Sequence, residues 1–148
     1  MFDRIVAVIN VDMIGWDGDD DRVVEIHSNG QFGSEALADS VSSIRALCGL
    51  ALTTTIVSPG ATASDHASFW NRGDAAVLLI EEYWGGDFNP YYHSQQDRVD
   101  KIDPEFFHHA AALARGGNGP IGIENIPGDQ LGGPGILRLG LPDQCRVF

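Results

Sequence analysis

The sequence predicts a layered α/β domain with a parallel or mixed sheet. Two segments, 5–13 (IVAVINVDM) and 75–80 (AAVLLI), are nearly continuous in apolar character, the pattern of strands buried on both faces. Two other stretches carry apolar residues at helical spacing, and strands that alternate with helices pack as layers. At 148 residues and 43% hydrophobic content, the chain holds enough for one compact core.

Each element follows in order. The strand at 5–13 runs into a turn at 15–21 loaded with Gly and Asp, and 22–27 then alternates through Val23, Val24, Glu25 and Ile26 as a second short strand. Residues 34–50 place Ala36, Leu37, Val41, Ile44, Leu47 and Cys48 on one helical stripe, with Gly49 as the stop. A Thr-rich strand at 52–57 is broken by Ser58-Pro59-Gly60, after which Ser64 or Asp65 caps a short helix over 66–71 that ends at Gly73. The strand at 75–80 leads into a long loop, 81–103, and Pro104 at a first helical position opens a helix to Arg115. From 116 onward the chain holds 9 of its 18 glycines and 4 of its 7 prolines without a sustained period. The expected organisation is therefore a domain over 1–115 and a Gly/Pro-rich linker or disordered tail over 116–148.

Nine basic against 21 acidic residues give a formal net charge of −12, which repels a phosphate backbone or an anionic membrane surface. Nucleic acid is thus an unsuitable partner, and no apolar run reaches membrane-spanning length. The two cysteines, Cys48 and Cys145, form no CxxC pair and suggest neither a zinc finger nor a dense disulfide framework.

Three pieces carry chemistry. Asp12 stands at the carboxyl end of the first strand, where ligands collect in open α/β sheets, although alone it is better explained as a turn cap. His93, in YYHSQQD, lies four residues before Asp97, a carboxylate near enough to orient an imidazole as metal-bound histidines require. SDHASF at 64–69 opens a helix, and capping alone explains Ser64 and Asp65. Adjacent Ser64, Asp65 and His66 cannot form a nucleophile, base and orienter line, and no GxSxG elbow exists. Of Glu81 and Glu82, neighbours that point to opposite faces, at most one can serve a given site.

In order, VINVDMIG, SDHASFWNRG, a buried strand and YYHSQQDRVDKIDPEFF resemble the carboxy-terminal half of the zinc exopeptidase family that includes bacterial leucyl aminopeptidase, aminopeptidase Y and glutamate carboxypeptidase II. The resemblance covers about residues 3–115. It implies part of a three-layer αβα, phosphorylase/hydrolase-like domain with a mixed sheet and its first half missing. It also implies two zinc ions, Zn2+, sharing a bridging Asp and a bridging water. By resemblance, Asp12 is a carboxylate ligand of one ion and His93 an imidazole ligand of the other, with Asp65, His66, Asp97 and Tyr92 around them or on the substrate side. Tyr91 and Trp84 are further candidates for lining the pocket, with core packing an equal alternative.

The family's remaining metal residues, a His-x-Asp element and a Glu-Glu pair that includes the general base, precede the DMIG strand, and Glu81-Glu82 follows it. No catalytic residue is therefore assigned. His27, His108 and His109 fit no motif. The expectation is a fragment of a dizinc aminopeptidase acting on a peptide or aminoacyl substrate, completed by a missing amino-terminal segment or a second chain. Alternatives are a single-zinc enzyme like glutaminyl cyclase and a non-catalytic interaction module. Members of the family are often secreted or periplasmic.

Overall fold

The computed structural model describes residues 5–116, 122–123 and 139–140. Four strands and three helices carry the fold: β1 (Val8–Val11), β2 (Val23–His27), α1 (Ser34–Leu47), β3 (Thr53–Val57), α2 (His66–Trp70), β4 (Ala76–Glu81) and α3 (Pro104–Ala114). Two further strands, β5 (Gly122–Ile123) and β6 (Leu139–Gly140), pair antiparallel with each other. The rest of the tail expected over 116–148 lies outside the described residues, so the linker reading stays an expectation.

The main sheet has the order β1-β4-β2-β3. β1 runs parallel to β4, β2 runs parallel to β3, and β2 is antiparallel to β4, so the sheet is mixed. The α/β class and the alternation of elements agree with the sequence. Expected boundaries shift by one to three residues at most ends, because strand pairing and helix caps rather than composition terminate the elements.

One expectation changes. β1 was read as buried on both faces, yet none of its residues is fully buried and Val11 is 41% exposed. β1 forms an edge of the sheet, with β4 on one side only, so apolar sequence there does not produce full burial. The strand buried along its whole length is β4, which lies between β1 and β2.

Strand alternation gives the sheet two different faces. Val24 and Ile26 of β2 and Val77 and Leu79 of β4 pack with Leu37, Val41 and Ile44 of α1 and Phe106, Ala110 and Leu113 of α3 in one core. Their neighbours in register point the other way. Asn10 pairs with Leu78, Glu25 with Ile80 and His27 with Leu78, so the opposite face carries both apolar and polar side chains. α2 packs over β4 and β1. α3 opens on Pro104 and is capped by Asp103, whose Oδ1 accepts the Phe106 amide at 2.7 Å.

Candidate active site

Alternation puts Asp12 on the same face as Asn10, just past the carboxyl end of β1, where its amide still bonds the Leu79 carbonyl at 3.1 Å. Its side chain is not alone. The Ser64 hydroxyl donates to Asp12 Oδ2 at 2.9 Å and accepts from Asn10 Nδ2 at 2.8 Å. This corrects the reading of Ser64 and Asp65 as caps: the first turn of α2 has no side-chain cap bond, because Ser64 spends its hydroxyl on Asp12. A small pocket of about 20 Å³ opens there, lined by Asp12, Met13, Ala61, Ser64, Tyr83 and Tyr92 among others.

The long loop brings Tyr92 to the same pocket. Tyr92 lines that pocket, and its ring stacks on His93 at 3.8 Å and 19°. Tyr92, 80 positions from Asp12, thus shares the pocket with it, whereas His93 is exposed beside Tyr92 and is not among the pocket's lining residues. Backbone strain marks the same spots. Met13 (φ 56°), directly after Asp12, and His93 itself (φ 53°) are among five non-glycine residues in the left-handed region among the described residues. Such conformations persist where surrounding structure enforces them, and they concentrate at functional sites.

The other expected residues go elsewhere. Asp97 makes no hydrogen bond to His93 among the described residues; it faces a larger cavity of about 230 Å³ with Met13, Trp16, Glu81, Tyr92 and Lys101. His66 is fully buried, its Nε2 donates to the Ala61 carbonyl at 2.8 Å, and its ring meets Trp70 edge-on at 4.4 Å. Burial lowers its pKa, since a charged imidazole is disfavoured out of water. Asp65 sits at the start of α2. Tyr91 turns to Trp16 and Lys101, and Trp84 packs on His27 while remaining 54% exposed.

Glu81 and Glu82 part as adjacent strand residues must. Glu81, 2% exposed, accepts the Gly15 and Trp16 amides on Oε2 at 2.8 and 2.7 Å, fixing the turn that follows Asp12. Burial raises its pKa, and these two amides oppose the rise. Glu82 accepts the Gly86 amide at 2.6 Å within its own loop. Neither carboxylate lines the pocket beside Asp12.

The donor types suit zinc, a carboxylate oxygen and an imidazole nitrogen, but two donors do not complete a tetrahedral set. Among the described residues, the acid or imidazole side chains close enough in threes to share one ion are Asp17, Asp19 and Asp21, on the turn after β1. Sequence reasoning missed the Asn10-Ser64-Asp12 chain, whose signal was the spacing of two residues between Asn10 and Asp12, which puts both on one face. It also missed a buried pair on β2, Glu25 and His27, for the same reason.

Solved structures share this fold. The LapA aminopeptidase of Legionella pneumophila aligns with a TM-score of 0.62 at 22% identity, covering 76% of this chain and 29% of that one. BSAP, a zinc aminopeptidase from Bacillus subtilis, aligns at 0.59 and 18%, covering 74% and 26%. The chain therefore spans less than a third of the length of these structures. No curated protein matches the sequence. The family model described as peptidase family M28 matches residues 1–116, which include Asp12, the SDH segment, His93 and α3. With that match over most of its length, the chain belongs to peptidase family M28.

Proposed function

We propose that this chain is part of a zinc-dependent exopeptidase, an aminopeptidase acting on peptide or aminoacyl substrates, and that Asp12 and His93 each contribute a ligand to a two-zinc centre. The observation that carries this reading is Asp12, held by Ser64, on a pocket that Tyr92 also lines, with His93 stacked on the Tyr92 ring. Zinc in such a centre lowers the pKa of bound water and polarises the scissile carbonyl. Ser64 fixes one oxygen of Asp12, Tyr92 supports the face of the His93 ring, and Ala61, Tyr83 and Tyr92 wall the small pocket beside Asp12. The remaining ligands and the general-base Glu come from a further segment or a second polypeptide. The acidic charge of −12 suits a cationic amino terminus as the group approaching the site.

Zinc content after dialysis, together with hydrolysis of aminoacyl chromogenic substrates, tests this reading. Zinc uptake by the site completed with the outside ligands is expected to fall in both Asp12→Ala and His93→Ala, with no turnover by the chain alone. Uptake indifferent to both substitutions overturns the ligand assignment. Turnover by the chain alone overturns the need for outside residues. One zinc per completed site would favour the cyclase-like alternative, and none would favour an interaction module.

A further inference from the structure

Behind the pocket lies a buried acid-imidazole pair that no motif accounts for. Glu25 and His27 are 3% and 0% exposed and point to the same face of β2. His27 Nε2 lies 2.6 Å from Glu25 Oε2, and His27 Nδ1 accepts the Ala61 amide at 2.9 Å. Because Nδ1 is an acceptor, the ring proton is on Nε2 and is donated to Glu25. Both Glu25 oxygens lie 3.1 Å from the Trp84 amide. The pair thus joins two loops distant in sequence, one through Ala61 and the other through Trp84.

Those two loops wall the pocket beside Asp12. Ala61 and Ser64 come from the first, and Tyr83 comes from the second. The Ala61 peptide is held at both ends by buried imidazoles, its amide by His27 and its carbonyl by His66. At Gly60 a Cβ would come within 2.6 Å of His27 Cβ, so the loop lies directly on the end of β2 at His27. Tyr83 and Trp84 pack against the same ring, with centroids at 6.2 and 5.1 Å.

We propose that Glu25 and His27 are positioning residues that lock the Ala61–Ser64 and Tyr83–Trp84 loops into one arrangement, and thereby set the shape of the substrate pocket and the hold of Ser64 on Asp12. The inference rests on the reading of that pocket as the substrate site. An apolar pair of similar size would fill the space but leave the Ala61 and Trp84 amides without acceptors, which is unfavourable for buried donors. A polar pair at this place therefore does what packing alone does not: it fixes where two backbone amides lie.

The test compares His27→Leu, which cuts both links, with His27→Asn, whose Oδ1 can still accept the Ala61 amide while the link to Glu25 is lost. Val41→Ala, on the opposite face of the sheet, controls for general destabilisation. The readouts are amide shifts and hydrogen exchange of the labelled chain by NMR, and Asp12-dependent zinc affinity. In His27→Leu the Ser64 and Tyr83 amides are expected to shift and exchange at least tenfold faster, and zinc affinity to fall at least tenfold. In His27→Asn the Ser64 changes recover while those at Tyr83 and Trp84 remain. Val41→Ala is expected to leave all of these in step with the rest of the chain. Unchanged Ser64 and Tyr83 signals in folded His27→Leu overturn the proposal. If that variant does not fold, His27→Asn and Glu25→Gln decide by the Tyr83 and Trp84 signals. A completed site that binds no zinc would overturn the reading of that site and leave the amide readouts to judge the positioning role separately.

Discussion

Ser64 shows how a residue's role depends on what reaches it. In sequence it is a helix cap, and in the structure its hydroxyl stands between Asn10 and Asp12. Ser64→Ala is expected to lower stability by about 1 kcal/mol in denaturant titration and to weaken zinc binding by roughly ten- to a hundredfold in calorimetry. Glu81 gives a pH-dependent expectation. Its folded-state pKa is raised above the ordinary 4.5 by burial, so its contribution is fully present below that value and is lost as pH rises through the folded pKa. Glu81→Gln removes that ionisation, so its urea midpoint relative to the parent chain is expected to improve steadily from acid to neutral pH. Asp12 and His93 stand out in the sequence as candidates through their motifs. The Ser64 contact does not, because it joins residues 52 positions apart and no local pattern encodes it.

Among the elements, α3 was the most legible. Pro104 and an apolar stripe specify a fixed first turn and a buried face, the structure returns both, and it adds Asp103 as the cap. Asp103→Ala is expected to cost about 1 kcal/mol, and Phe106→Ala, which empties a position 1% exposed, about 3–5 kcal/mol, both read from chemical unfolding. β1 was legible as a strand but not as an edge. Apolar content reports what a segment can bury, whereas its place in the sheet depends on which strands pair, and β1 has β4 alone. Likewise the alternation of β2 was visible, but that Glu25 and His27 would be buried beneath two loops required knowing where those loops return.

For the whole molecule, the mixed sheet and two unlike faces explain the division of labour. One face is an aliphatic core under α1 and α3, and the other gathers Asn10, Asp12, Glu25 and His27 under the loops. No helix among the described residues is long and apolar enough to cross a membrane. Beside the edge strand, Ile5 and Val6 are 50% and 49% exposed, and with Phe32 they line a hollow of about 300 Å³. An exposed apolar edge of this kind promotes association. Val6→Lys is accordingly expected to reduce self-association in sedimentation velocity while leaving the unfolding midpoint nearly unchanged.

The left-handed backbone at His93 has an evolutionary consequence. An L-residue with a side chain gives up roughly 1–2 kcal/mol to sit there, a cost glycine escapes. Thermal robustness alone would favour glycine at this position, so folding does not account for a histidine there. His93→Gly should therefore melt no earlier than the parent chain while losing the imidazole, whereas His93→Ala, which keeps a Cβ, should melt earlier than His93→Gly. Such an ordering would mark the position as one where fitness and folding pull in opposite directions.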